Sequence, residues 1–461
     1  TFTINNILGL NMTPYSLRRL QLATQLDSDS IAIIVGNTEQ VRNLNISYPF
    51  RQDNDFYYLT GFNEPDCVCV IRPGHDTPYV MFARDSDSHQ EVQFGSRAGL
   101  NGLEQHHGVN RAIDISEFKE KIVSLFEKRH KLFISDNHGQ YHDQLGLWLT
   151  ARQPDHAFDS VKVYREIHQL SPLIAQMRVI KDEHELNLIN QAAHASVQGH
   201  IAVMQACTPD VNERVLSATF NRTISDFGCD SVGYGNIVAS GNNGICLHYE
   251  DNNHPCKNGD MVLTDLGGEY QHYTADISRT FPVNGKFSNA QAALYQIVLN
   301  ALDASIGLVE PGAKWNTLFE ANQRVLAQGL LDLGILEGDL EEILASEAQR
   351  EFTVHKTGHW MGLHVHDVGS YQAPNSDEWI TLEPNMVFTI EPGIYIPADC
   401  DKVDAKWRGI AIRIEDDILV TENGYINLTK QAPRTIAEIE SCMGNEWFKA
   451  MPYFTLLQMC I

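Results

Sequence analysis

The 461-residue chain has no long hydrophobic run and is poor in basic residues. No window approaches about 18 consecutive apolar residues, so the sequence predicts no transmembrane helix. Lys and Arg number 34 against 59 Asp and Glu, which gives a formal net charge of −25. A surface of that sign repels phosphate backbones and anionic lipids. We therefore expect neither nucleic acid nor a membrane as a partner.

Cysteine is present, but it lacks the spacing of a structural framework. The nine cysteines are odd in number, and no two of them form a C-x-x-C pair. This pattern argues against a disulfide framework and against a thiolate zinc site. The N-terminal segment has neither a basic start nor an apolar core of the signal-peptide kind. The sequence thus predicts a cytoplasmic protein.

The length is that of two to three domains at roughly 150 residues each. Short apolar runs at 30–36, 67–71 and 79–82 alternate with helical stretches, which is typical of an α/β domain. The pattern changes near Ser171-Pro172. We predict an N-terminal α/β domain over 1–175, a second domain over 176–447 and a tail over 448–461.

The second domain groups helices with hairpin-rich strands, which predicts an α+β fold. Three capping-box patterns predict helix starts, at Asp182–Glu185, Asp210–Glu213 and Ser288–Gln291. The second helix is predicted to stop at Gly228, and the third to run toward Pro311-Gly312. Strand-like runs lie at 235–240, 260–283, 385–396 and 408–420.

A faint internal repeat relates two parts of this domain. Residues 260–264 align with 385–389 at an offset that also superimposes Gly268 on Gly393. Each copy contributes two acids, which are Asp265 with Asp276 and Glu391 with Glu415. The repeat predicts a pseudo-twofold pair of hairpins that brings the four acids toward one axis.

These acids stand at or near the ends of apolar strands, where partial burial is expected. A buried carboxylate is costly unless it meets a cation, a hydrogen-bond network or a proton. For any single acid, a salt bridge or a turn cap is the more probable interpretation. For all four together, two divalent cations are the simpler account.

A histidine-rich segment, 355–367, adds a nitrogen donor to this set. It contains His355, His359, His364 and His366, with glycines on both sides of His359. One neutral imidazole as a ligand, with others nearby as proton carriers, fits a metal hydrolase. Oxygen-rich ligation favours Mn²⁺ first, with Co²⁺, Fe²⁺ or Zn²⁺ as alternatives.

Several segments carry a resemblance to a known family. They are 50–65, Asp265–Phe281, the stretch around His359, Thr389–Tyr395 and Arg413–Asp417. In this order they resemble the pita-bread metallopeptidases, and among these the bacterial Xaa-Pro aminopeptidases, or aminopeptidase P. The resemblance extends from about Met12 to Met443. It implies a pita-bread catalytic domain that removes the first residue from peptides with proline at position two.

The resemblance also implies roles for particular residues. The metal ligands would be Asp265, Asp276, His359, Glu391 and Glu415. Asp276 and Glu415 would bridge two ions, and Glu391 would also carry a proton. Other catalytic or substrate-binding residues would be His248, His355, His366, Tyr395 and Arg413. A homodimer or homotetramer, built partly through the N-terminal domain, is implied as well.

Alternatives stay open at this point. A prolidase, which cuts Xaa-Pro dipeptides, would use the same metal centre, although Trp360 after His359 favours the aminopeptidase. A methionine aminopeptidase usually lacks so large an N-terminal domain. A non-catalytic binding protein on the same fold would typically have lost metal ligands. Hydrolysis of organophosphates is a conceivable side activity.

Overall fold

The computed structural model describes residues 12–126, 129–137, 139, 166–373 and 376–444. The predicted tail, 448–461, lies outside these residues. The chain divides into two compact units, Thr1–Met177 and Arg178–Ile461. Within the described part of the chain, no helix combines the length and the apolar character needed to cross a bilayer.

The first unit is an α/β structure, as predicted. Its strands are β1 Ser30–Val35, β2 Val41–Asn43, β3 Ile46–Ser47, β4 Val68–Ile71, β5 Tyr79–Ala83, β6 Arg111–Asp114, β7 Lys131–Ser135 and β8 Glu166–Gln169. Its helices are Pro14–Thr24, Asn54–Thr60, Ser88–Phe94, Gly99–His106 and Phe118–Phe126. Six of the strands form one mixed sheet in the order β6-β5-β4-β1-β7-β8. Central β1 is buried along its whole length.

The second unit is an α+β structure that begins within the helix Ser171–Val179. Its other helices are Glu183–Ala206, Glu213–Asp226, Asn289–Ile306, Trp315–Asp332, Leu340–Ser346 and Ile436–Met443. Its strands are β9 Ser231–Val232, β10 Ile237–Ser240, β11 Met261–Asp265, β12 Gly268–Tyr270, β13 Tyr273–Thr274, β14 Ser278–Pro282, β15 Val387–Ile390, β16 Gly393–Ile396, β17 Ile410–Arg413, β18 Asp416–Thr421 and β19 Gly424–Asn427.

Two of the three predicted helix starts are confirmed, and one is wrong. Capping boxes form at Asp182–Glu185 and at Ser288–Gln291. The helix predicted from Asp210 is instead capped by Asn212. Asp210 has a left-handed backbone, and its N–H donates to the Cys256 carbonyl, so the helical turn cannot begin there. The third helix ends at Ile306, before it reaches Pro311.

The internal repeat is visible in the strand pairing. In the first copy β11 pairs with β14, and the strands between them, β12 and β13, pair with each other. In the second copy β15 pairs with β18 around the pair β16 and β17. All four pairs are antiparallel. The same nested order occurs twice, which confirms the predicted pseudo-twofold architecture.

The four acids occupy related places in the two copies. Asp265 is the last residue of β11, and Glu391 directly follows β15. Asp276 lies between β13 and β14, and Glu415 directly precedes β18. The nested pairing therefore brings all four acids toward the same edge of the paired strands.

Candidate metal centre and substrate cavity

Three side chains from separate parts of the chain converge. One ligand atom each of Asp276, His359 and Glu415 lies within 4.8 Å of the others. Nδ1 of His359 is 3.0 Å from the carbonyl oxygen of Trp360, so the ring N–H donates there. The lone pair of His359 Nε2 then faces the acids. The arrangement is that of a metal-ligating imidazole held by a backbone carbonyl.

Asp265 and Glu391 stand beside this trio. Nε2 of His359 lies 3.4 Å from Oδ2 of Asp276 and 3.8 Å from Oε1 of Glu391. The hydroxyl of Tyr234 lies 2.7 Å from Oδ1 of Asp265 and 2.6 Å from Oδ1 of Asp276. The structure thus brings together all five residues that the resemblance named as ligands.

Backbone close approach explains how these segments meet. A Cβ on Gly358 would lie 1.8 Å from the carbonyl oxygen of Thr389, and one on Gly267 would lie 1.9 Å from that of Ala275. Only glycine fits at such positions. The first contact sets the His359 segment against β15, and the second sets the chain after Asp265 against the chain before Asp276.

The cluster carries more negative charge than its own cations balance. Burial raises the pKa of Asp276 and of Glu415 well above their usual values. The charge of Asp265 adds to this effect at Asp276, and the charges of Asp276 and Asp265 add to it at Glu415. Burial and the charge of Glu415 raise the pKa of Glu391 to about 8. Such carboxyls must bind either protons or cations. This donor set, four carboxylates and one imidazole, fits divalent metal ions.

Arg413 contacts the acids of this cluster directly and through Ser278. Its Nη2 lies 2.6 Å from Oδ2 of Asp265, and its Nε donates to the Ser278 hydroxyl at 2.9 Å. That hydroxyl in turn donates to Oε2 of Glu415 at 2.8 Å. Arg413 therefore orients one acid from each copy of the repeat, directly and through Ser278.

Tyr395 connects Arg413 to His355. The Tyr395 hydroxyl accepts from Nη1 of Arg413 at 3.0 Å and lies 2.8 Å from Nε2 of His355. Burial, followed by the charge of Arg413, lowers the pKa of His355 to about 4, so its ring is neutral at pH 7. Nδ1 of His355 contacts the Lys356 carbonyl at 2.8 Å, which leaves Nε2 to accept from Tyr395.

His366 and His248 lie on the open side of the centre. The rings of His359 and His366 are 4.3 Å apart and nearly perpendicular. His248 is an exposed residue on a turn after the 3₁₀ segment Gly241–Ile245. A charge on His248 lowers the pKa of His366, an effect that ranks after those of burial and of His359. Both histidines are therefore near the centre without entering the ligand cluster.

A cavity of about 870 Å³ opens beside these residues. His359, His366 and Glu391 form part of its wall. Aromatic side chains form another part, namely Trp315, Phe319, Tyr371 and Trp379. The cavity thus joins an ionisable, metal-competent end to an apolar wall that suits a proline ring or another apolar side chain.

The family models separate the chain as the fold does. The model of metallopeptidase family M24 matches residues 187–422, and that of the aminopeptidase P N-terminal domain matches residues 15–133. The chain belongs to the aminopeptidase P branch of metallopeptidase family M24.

Relatives and solved structures of this branch match nearly the whole chain. The Xaa-Pro aminopeptidase of Escherichia coli is 37% identical over 93% of this chain and 97% of its own length. That of Haemophilus influenzae is 38% identical over 93% and 96%. The structure of Pseudomonas aeruginosa aminopeptidase PepP superimposes with a TM-score of 0.89 at 39% identity, covering 93% of this chain and 97% of that one.

Sequence reasoning missed residues that support the predicted metal ligands. Tyr234, between two glycines, contacts Asp265 and Asp276, and Ser278 connects Arg413 to Glu415. Oδ2 of Asp417 accepts from the N–H of Asp276 at 3.2 Å. The Gly-Tyr-Gly pattern was the only signal for Tyr234, because a hydroxyl that contacts acids about 30 and 40 residues away has no local signature.

Proposed function

We propose that this protein is an Xaa-Pro aminopeptidase, which releases the first residue of peptides that have proline in second place. The convergence of five ligand-type side chains beside an aromatic-walled cavity is the observation that carries the proposal. The relatives from E. coli and H. influenzae, which this chain matches over nearly their full lengths, are both named Xaa-Pro aminopeptidase. A variant of E. coli aminopeptidase P has also been solved with substrate.

We propose further that Asp265, Asp276, His359, Glu391 and Glu415 would hold two divalent ions, Mn²⁺ first. Bound ions of this kind polarise a carbonyl and lower the pKa of water. The buried carboxyls with raised pKa values support the proposal, because two divalent cations would balance four negative charges. A zinc-substituted E. coli aminopeptidase P shows that a relative binds metal.

The chain's own side chains would position the peptide and move its protons. Glu391 borders the cavity and would pass a proton to the proline nitrogen, since a tertiary amide nitrogen must be protonated to leave. His366 and His248 would bind the peptide near the scissile bond. Arg413, Tyr395 and His355 form a connected chain that would keep Asp265 and Glu391 oriented.

A peptide-length assay tests this function directly. The purified protein with Mn²⁺ should cleave an Xaa-Pro-Xaa tripeptide and leave the Xaa-Pro dipeptide intact. Treatment with a chelator should abolish turnover, and added Mn²⁺ should restore it. Preferential cleavage of the dipeptide would establish a prolidase instead. Full activity in demonstrably metal-free protein would contradict the metal proposal.

The remaining inferences from the sequence stay predictions. The alternative of a non-catalytic binding protein is disfavoured, because such proteins lose ligands that are all present and clustered in this chain. The proposal includes the domain bounds 1–175, 176–447 and 448–461. It also includes a role of the first domain in oligomerisation and substrate access, a homodimer or homotetramer, and a cytoplasmic location.

A further inference from the structure

Glu213, the first residue of the helix Glu213–Asp226, is a fully buried carboxylate. Oε1 accepts from the Ser240 N–H at 2.7 Å, the Ser240 hydroxyl at 2.7 Å and the Asn243 side-chain amide at 3.0 Å. Oε2 accepts from the Tyr249 hydroxyl at 3.0 Å and from the His254 N–H at 2.9 Å. Five donors thus converge on one carboxylate.

These donors are neutral. Among the described residues, Glu213 forms no salt bridge with Lys or Arg. Burial alone raises the pKa of Glu213, but the hydrogen bonds from Ser240, His254 and Asn243 together bring it below its ordinary value. The carboxylate is therefore charged at neutral pH, and neutral donors compensate its burial.

All the donors belong to one segment of the chain, residues 240–254. Ser240 and Asn243 lie where this segment begins, and Tyr249 and His254 lie where it ends. Glu213 thus holds both ends of a 15-residue segment at a single point. The turn that contains His248 lies between the two ends.

Apolar packing determines which way this turn faces. Leu247 and Tyr249 pack against a buried cluster that includes Tyr395 and Ala411. A Cβ on Gly244 would lie 2.9 Å from Cβ of Ala411, so the 3₁₀ segment lies directly on β17. With its two neighbours directed into this cluster, His248 stays exposed on the turn.

We propose that Glu213 is a positioning residue, which fastens the segment 240–254 and thereby fixes the exposed turn that carries His248. The inference rests on the proposed function, because His248 is taken there to bind substrate. Glu213 itself does not line the cavity. Its contribution would pass through His248, since a misplacement of about 1 Å in a reacting constellation costs roughly 10²-fold in rate.

The test substitution is Glu213→Gln, which keeps the shape but places an NH₂ against donors. We expect kcat/KM for the tripeptide to fall roughly 10²-fold, with the same division between KM and kcat as in His248→Ala. Metal content should be unchanged. The matched control is Glu342→Gln, in the first turn of another helix, where the side chain is exposed. It should retain parental activity.

The combination of Glu213→Gln with His248→Ala separates positioning from a general effect. If Glu213 acts through His248, the double variant should be no worse than His248→Ala alone. A further loss equal to that of the single variant would overturn the proposal. Should Glu213→Gln fail to fold, Tyr249→Phe removes one contact to the carboxylate, and its loss should also vanish in the His248→Ala background.

A second measurement does not depend on turnover. Backbone hydrogen exchange over 241–253 should be faster in Glu213→Gln than in the parent, and unchanged in Glu342→Gln. Parental exchange rates there would overturn the positioning role, even in an active enzyme. An inactive parent with normal metal content and faster exchange in the variant would instead count against the proposed function alone.

Discussion

Glu415 and Asp416 are neighbours in sequence, both are buried, and their surroundings are opposite in charge. Asp416 lies 2.6 Å from Nη2 of Arg279 and 3.1 Å from Nη1 of Arg434, and despite burial its pKa is lowered by these charges. Glu415 accepts a hydrogen bond from the Ser278 hydroxyl, and its pKa is raised by burial and by the charge of Asp276.

The same contrast recurs elsewhere in the second unit. Asp367 lies 2.5 Å from Nη2 of Arg178 and 3.3 Å from Nζ of Lys181. The side chain of Asp276, which like that of Asp367 is almost fully buried, has other acids as close neighbours. Asp367 and Asp416 thus contact Arg or Lys directly. Among the described residues, Asp276 and Glu415 form no salt bridge with Lys or Arg, and of the five proposed metal ligands Asp265 is the one that contacts Arg413. Substitutions in the two kinds of site should therefore differ in what they damage.

The largest expected effect is on catalysis, from Asp276→Ala. Removal of this acid leaves a metal ion under-coordinated, and we expect kcat to fall by roughly 10³-fold or more. Steady-state assay on the tripeptide, with elemental analysis of the bound metal, measures it. Urea unfolding of the metal-free variant should show no loss of stability. Parental turnover with one residue missing from the cluster would contradict the ligand assignment.

Substitution of an acid that is paired with Arg or Lys should instead reduce the stability of the fold. Asp367→Asn removes the buried carboxylate that contacts Arg178 and Lys181, and breaking a buried ion pair should cost about 3–5 kcal/mol of unfolding free energy. Urea unfolding measures this cost. The control is Asp404→Asn, whose 3.6 Å contact with Lys406 is exposed. An exposed pair is worth at most about 1 kcal/mol. An equal loss of unfolding free energy in Asp367→Asn and Asp404→Asn would contradict the stabilising role of the buried pair.

The stabilisation by bound metal should also differ between the proposed metal ligands and the acids paired with Arg or Lys. At a free Mn²⁺ concentration of about 100 times Kd, the parent should gain about 2.7 kcal/mol of unfolding free energy. Glu415→Gln should gain less, because one anionic ligand is missing. Asp367→Asn, if it folds, should gain as much as the parent. Thermal unfolding with and without metal measures all three, and an equal gain in Glu415→Gln would count against its role as a ligand.

The smallest effect concerns acid stability. Burial raises the pKa of Asp367, but Arg178 and Lys181 together lower it well below its ordinary value. Its stabilisation is complete above the unfolded pKa of about 3.9 and is lost as pH falls below that value, at up to about 1.4 kcal/mol per pH unit. Urea unfolding at pH 5 and pH 3 should show this slope in the parent. The slope should be shallower in Asp367→Asn.

Much of the site was predictable because its signals are local. Acids at strand ends, glycines around His359 and an offset repeat are all visible in the printed sequence. The failed helix start at Asp210 shows the limit. Asp210–Glu213 has the spacing of a capping box, yet the Glu213 carboxylate accepts from Ser240 and His254, about 30 to 40 residues away. A pattern of four residues cannot show such distant donors.

The sequence by itself indicated the fold class, the repeat and its four acids, since these depend on periodicity and residue chemistry, and the family resemblance singled out His359 as their partner. Only the tertiary structure decided which buried acids receive a cation. Glu415 and Asp416 are chemically similar and adjacent, but successive side chains at a strand point to opposite faces. Glu415 therefore lies with Asp276 and His359, and Asp416 meets Arg279.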